Sequence, residues 1–204
     1  QGFTLIDLLL SVTLLSILAA AVPGTVAPIY HQYKVEETKA RLLRIRNALV
    51  GDTNKKVNGV RTEFGYLGDV GGLPSSAQGL SALLSRPAAV AAYAQDSTNR
   101  ISYGWNGPYL PTDIGVDWTK DAWGVAFDYQ PTTSPATVTS WGADGVSGGS
   151  GVNADLTIQI PTSLKQFTVY GVLTTASASG AAYTAAQVQL NDLNTNSTAV
   201  LLTP

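Results

Sequence analysis

Between Asp7 and Lys34 the chain carries no charged side chain, and residues 3–26 hold thirteen Phe, Leu, Ile or Val residues. Such a run can only be a helix that hides its surface in lipid or against other helices. On an insertion scale these residues contribute roughly −4 to −8 kcal/mol, against about +3 kcal/mol for a central Asp. Asp7 sits near one end, where its cost is lower, so insertion is favourable yet reversible. A lone carboxylate in such a segment is a functional hypothesis in its own right. A cleaved secretory signal is the rival reading, with Ala19-Ala20-Ala21 as a small-residue cut site. Signal sequences carry positive charge ahead of the run, and here an acid stands there, so the segment reads as retained. Ser16, Ala20 and Gly24 lie at helical spacing, which lets helices approach closely. Pro23, Gly24 and Pro28 predict a melted or kinked stretch around 20–28.

From residue 29 to 50 the pattern turns amphipathic. Val35, Ala40, Leu42, Leu43, Ile45 and Leu49 alternate with Lys34, Glu36, Glu37, Lys39, Arg41, Arg44 and Arg46. This is a helix with one face on a globular head, ended by Gly51-Asp52. Residues 3–50 as one stem would reach about 70 Å.

Composition narrows the chemistry. Net charge is −2 with 13% charged residues, which gives no case for nucleic acid. Cysteine is absent, so disulfides and thiolate metal sites are excluded. Methionine is absent too, and we expect a leader ahead of Gln1. The single histidine, His31, lies on the stem. Gly145-Val146-Ser147-Gly148-Gly149 fits the G-x-S-x-G pattern but lacks the His partner that a nucleophile elbow needs. No enzyme is expected. Asn196-Ser197-Thr198 matches a glycosylation sequon, a pattern common by chance. Trp105, Tyr109, Trp118, Trp123, Tyr129 and Trp141 read most simply as core or inter-subunit packing. Residues 141–155 combine glycines with Asp144, Ser147, Asn153 and Asp155. That is either a flexible surface loop or a hard-cation site of oxygen donors, and its spacing is not that of an EF-hand.

Gly2-Phe3-Thr4-Leu5-Ile6-Asp7, the apolar run and Pro23 together resemble the N-terminal signal of the type IV pilin superfamily. Further on, Gln78-Gly79-Leu80-Ser81-Ala82-Leu83-Leu84, Trp105-Asn106-Gly107-Pro108-Tyr109-Leu110, Asp121-Ala122-Trp123-Gly124 and Ser140-Trp141-Gly142-Ala143-Asp144-Gly145 follow in order. These resemble its major-pseudopilin branch, which serves type II secretion. The resemblance implies cleavage by a prepilin peptidase between Gly2 and Phe3, and N-methylation of Phe3. It implies assembly roles for Asp7, in place of the usual Glu, and for Pro23. It also implies calcium in the 141–155 loop. Asp144, Asn153 and Asp155 would be side-chain ligands, and Trp141 and Ser147 would supply backbone oxygens. Asn153 stands where some relatives are expected to carry an acid, which weakens the site.

Beyond Leu156 the chain becomes alternating and poor in charge. Residues 156–160 and stretches within 166–175, 183–191 and 198–203 predict antiparallel strands. The expected fold is α+β: a long N-terminal helix packed on an antiparallel sheet head, as in pilins, with a C-terminal β-rich extension. The expected division is a membrane and filament-core helix at 1–28, a head at 29–155 and the extension at 156–204. The expected function is structural. Subunits leave the inner membrane and polymerise through the N-terminal helix, helped by an assembly platform and minor pilins. The β extension leans towards an extracellular type IV pilus; the alternative is a short periplasmic pseudopilus.

Overall fold

The computed structural model describes residues 4–96, 101–112, 115–165, 186–190 and 198–202, with side chains from 18 to 27 left aside. Gly2 and Phe3, the expected processing site, lie outside these residues, as does the strand expected within 166–175.

The fold is α+β, with an N-terminal helix followed by antiparallel sheets. α1 runs from Leu5 to Val50 without a break. Its 46 residues span about 69 Å. The melted stretch expected around 20–28 is therefore absent. Pro23 and Pro28 each remove one backbone donor, and the bonds on either side are enough to carry the helix across. The end of α1 is as expected. Gly51 takes a φ of 81° and donates its N–H to the Asn47 carbonyl at 2.6 Å. A Cβ there would lie 2.3 Å from the Glu63 carbonyl oxygen, so only glycine fits.

The buried stripe of α1 is Thr38, Leu42, Ile45, Ala48, Leu49 and Val50. Leu42, Ile45 and Leu49 match the sequence pattern. Ala40 and Leu43 face outward instead, and Thr38 takes an interior place because its hydroxyl accepts the Ala122 N–H at 3.2 Å.

Contacts divide the chain into two compact units. The first comprises residues 1–43, 117–128 and 138–158; the second comprises 44–116, 129–137 and 159–204. In the second unit, β1 (Lys56–Val57) and β2 (Val60–Arg61) form an antiparallel hairpin. Its two-residue turn, Asn58-Gly59, has positive φ at both positions, which favours this residue pair. α2 (Gly65–Val70) buries Tyr66 and Leu67. The Gln78–Leu84 motif forms a single 3-10 turn at Leu80–Leu83. Ser75 and Gln78 lead into it: the Ser75 N–H donates to Gln78 Oε1 at 2.8 Å, and the Gln78 N–H donates to Ser75 Oγ at 3.3 Å. β3 (Ala94–Asp96) and β4 (Ile101–Tyr103) pair antiparallel. Tyr109 packs edge-on to both Tyr66 and Trp105.

β5 (Asp128–Gln130), β6 (Ala136–Ser140) and β7 (Leu156–Ile160) form a three-stranded sheet in that order. The short 131–135 connection requires β5 and β6 to run antiparallel. Within the C-terminal region β8 (Ala186–Leu190) pairs antiparallel with β9 (Thr198–Leu202). Both fall where the alternating sequence places strands.

Candidate functional site

Two places in the first unit carry the sequence-derived site residues. One is the start of α1. Thr4 precedes the helix, and three residues on stands Asp7. The Thr4 hydroxyl donates to Asp7 Oδ2 at 2.6 Å, and the Thr4 N–H donates to the same oxygen at 3.1 Å. In return the Asp7 N–H donates to Thr4 Oγ1 at 3.3 Å. This is a reciprocal capping box, and it was readable as Thr-x-x-Asp ahead of an apolar run. Asp7 stands out in the sequence by its charge, whereas Thr4 is told only by its spacing to Asp7. The box holds one carboxylate oxygen over the first turn.

Beyond the cap, Leu5, Ile6, Leu8, Leu9, Leu10, Val12, Leu14, Leu15 and Ile17 are all more than half exposed. They surround the helix rather than forming a stripe, so no single packing face could cover them. Ser11, Thr13 and Ser16 turn their hydroxyls back to helix carbonyls. An apolar surface of this extent marks a lipid or protein interface. Among the described residues no helix is long and apolar enough to cross a membrane. From Leu5 to Ile17 the described apolar stretch spans about 20 Å, short of a ~30 Å hydrocarbon core. Pro23 lies within α1.

The second place is the 141–155 loop, which leaves β6 and returns into β7. Gly142, Gly145, Gly148, Gly149 and Gly151 all have positive φ. At two of them the demand is steric as well. A Cβ on Gly142 would meet the Asn153 carbonyl oxygen at 2.7 Å, and one on Gly149 would meet it at 2.5 Å. Both glycines thus lie tight against the Asn153 carbonyl. The Ala143 N–H donates to the Val152 carbonyl at 3.0 Å and closes the loop's neck. Asp155 accepts the Gly148 N–H with both oxygens, at 3.0 and 2.9 Å. Asp144 accepts the Val146 N–H at 3.1 Å.

Asp144 thus caps a local turn at 146, and Asp155 ties the end of the loop back to Gly148. The loop's donors are all oxygens, which suits a hard cation and no soft one. Among the described residues no three His, Cys, Asp or Glu side chains are grouped for a metal ion. A hard cation in this loop would find two carboxylates, and its other oxygens would have to come from amide and backbone groups. The predicted Ser147 oxygen does not face Asp155. The Gly148 N–H points at that carboxylate, and in a planar trans peptide the Ser147 carbonyl points the opposite way. Trp141 lies at the mouth of the loop, half-buried.

Three stem side chains bind the neighbouring 120–122 turn by its backbone. Arg41 Nη1 donates to the carbonyls of Lys120 and Asp121 at 3.1 and 3.0 Å, and Lys34 Nζ donates to that of Ala122. The third is Thr38, through the bond already described. Asp121 itself is interior. Its Oδ1 accepts the N–H groups of Trp123 and Val125 at 2.9 Å each, and its Oδ2 accepts the Ser140 hydroxyl at 2.6 Å. The Asp-Ala-Trp-Gly motif is plain in the sequence, while the burial of its aspartate is not.

In the second unit a cleft of about 630 Å³ is lined by Arg44, Lys55, Glu63, Asp69 and Tyr109 among others. Tyr109 donates its hydroxyl to Asp69 Oδ2 at 2.9 Å. Burial pushes the Asp69 carboxyl up from its ordinary value, while the Tyr109 bond opposes it. Burial also raises the Tyr109 phenol. No serine, cysteine or histidine lines the cleft.

Residues 41–159 match the family described as type II secretion system (T2SS), protein G. The family match covers the second of these places, the 141–155 loop. The chain is also 34% identical over 158 residues to type II secretion system core protein G of Pseudomonas aeruginosa. That alignment takes in 76% of this chain and 92% of the relative. Residues 160–204 lie beyond the family match.

Proposed function

This chain belongs to the type II secretion system protein G family, and from that premise we propose that it is the major subunit of a secretion pseudopilus. The secretion relatives favour this destination over the extracellular pilus towards which the β extension leaned. The role is structural. Subunits wait in the inner membrane with the apolar half of α1 in lipid. They then exchange lipid for the same half of neighbouring copies, alongside other pseudopilins, in the periplasm.

One observation carries this reading: the apolar side chains from Leu5 to Ile17 surround the helix, and among the described residues they stay more than half exposed. Packing them against copies removes that surface from lipid, and the small residues at 16, 20 and 24 allow close approach. Asp7 sets the register. In a filament core its carboxylate needs a partner, and the Phe3 amine released by processing supplies one. Breaking a buried pair costs about 3–5 kcal/mol. In a host lacking its own protein G, Asp7→Ala should reach the membrane fraction as wild type does. It should fail to restore secretion or to yield sheared filaments. Wild-type secretion by this variant would remove Asp7 from the assembly step.

We also propose that the 141–155 loop binds calcium, with Asp144, Asn153 and Asp155 as side-chain ligands and Trp141 and Ser147 as backbone donors. Bound calcium would supply the cross-link that a cysteine-free head lacks. The reading requires the 147–148 peptide to turn, so that Ser147 presents its oxygen. Calcium at about 100 times its Kd should stabilise the head by about 2.7 kcal/mol. Asp144→Ala should abolish that gain. Identical melting in calcium and in chelator would end this reading.

A further inference from the structure

We propose that Asp121 and Ser140 are positioning residues that couple the 141–155 loop to the stem, so that calcium in the loop tightens the grip of α1 on the 120–125 turn. The inference rests on the calcium reading above.

The route is continuous and lies within one unit. Asn153, a proposed ligand, has its backbone carbonyl against Gly142, with no room for even a methyl group between them. The Gly142 N–H donates to Ser140 Oγ at 3.3 Å. Ser140 is fully buried, and its hydroxyl hydrogen goes to Asp121 Oδ2 at 2.6 Å. The other oxygen of Asp121 fixes the Trp123 and Val125 amides. Ala122, between those fixed points, gives its N–H to Thr38 on the stem, and its carbonyl receives Lys34.

The Gly142–Ser140, Ser140–Asp121 and Ala122–Thr38 bonds are buried, so a shift that reaches them is not absorbed by solvent. A hydroxyl with one hydrogen committed to a carboxylate and one lone pair committed to an amide has few alternatives. The loop and the stem therefore respond as one hydrogen-bonded network. A metal ion that fixes Asn153 would narrow the positions open to Gly142, Ser140 and Asp121. The Ala122 N–H···Thr38 bond would open less often. In function, a subunit would present a firm stem only after its loop is loaded.

The test uses the full chain in detergent. Calcium binding is followed by titration calorimetry, and amide exchange at Ala122, Trp123 and Val125 by NMR, each in calcium and in chelator. In wild type, calcium should slow Ala122 exchange by about tenfold. Ser140→Ala should still bind calcium, because no proposed ligand is lost, but the calcium-dependent slowing at Ala122 should shrink to less than twofold. Asp121→Asn, which keeps an acceptor for the two amides, should show the same uncoupling. If Ser140→Ala speeds exchange by the same factor in calcium and in chelator, Ser140 is merely structural and the inference is overturned. Calcium binding to wild type with no change at Ala122 overturns it as well, and leaves the calcium site standing. No binding heat in wild type would overturn both readings.

Discussion

One helix, α1, lives two different lives. From Leu5 to Ile17 its large apolar side chains point outward on every side. From Thr38 to Val50 it buries a single stripe and shows charge on the opposite face. The backbone is the same continuous helix in both halves. What differs is the partner that each half is built to meet. A stripe is what a helix needs when one surface receives it. An all-round apolar surface needs either lipid or a ring of neighbours. Stability of the head and competence to assemble are therefore written in different residues of one element, and substitutions can separate them.

Removing packing from the second half should have the largest effect. Leu49→Ala, at a fully buried position, should cost about 2–5 kcal/mol in thermal or denaturant unfolding. Leu9→Ala, in the first half, should change head unfolding by less than about 0.5 kcal/mol. Equal losses from the two would erase the distinction.

Next comes the turn that the stem grips. Asp121→Ala leaves the amides of Trp123 and Val125 and the Ser140 hydroxyl without their acceptor. A cost of about 3 kcal/mol is expected from the buried donors alone. Asp121→Asn should lose less. A surface-like change below about 0.5 kcal/mol for the alanine variant would show that the turn holds itself.

A smaller effect belongs to the helix start. Thr4→Val removes the hydroxyl of the capping box and should cost about 1 kcal/mol locally. It should appear as faster amide exchange near Asp7, with the melting of the head unchanged. Co-melting of the head would mean that the two halves are not independent.

The smallest expected effect is a change of pH dependence. Asp69 has its carboxyl raised by burial. For such a group the stabilising contribution is present below the unfolded value of 3.8, and it fades as pH rises through the folded value. Asp69→Asn keeps an acceptor for Tyr109 and should flatten stability across that acidic window. An unaltered pH profile would show that Asp69 does not contribute to it.

How much of this was legible depends on whether the determining partner was nearby in sequence. Gly51 as the end of α1, the core placement of Ile45 and Leu49, and strands β7, β8 and β9 followed from local patterns. So could the Asn58-Gly59 hairpin and the boxes at Thr4–Asp7 and Ser75–Gln78, whose signals stood in the sequence unread. Pro23 and Pro28 misled, because proline weakens a helix without having to end it. The burial of Thr38 was not legible at all. Nothing near residue 38 says that an amide 84 positions away will take its hydroxyl as acceptor. Asp121 is the same case, since its burial is made tolerable by Ser140, 19 positions on in β6. The site followed the same rule. The loop's oxygen donors were evident, while the outward turn of the Ser147 carbonyl depends on a bond that the sequence does not display.

The most direct test of the account is a helical reconstruction, by electron cryo-microscopy, of filaments assembled from this chain. The apolar half of α1 should form the axis, with Leu5 to Ile17 of adjacent copies in contact and the Asp7 carboxylate beside a processed amino terminus. A filament joined through its heads, with that half of the helix left outside the packed core, would contradict it.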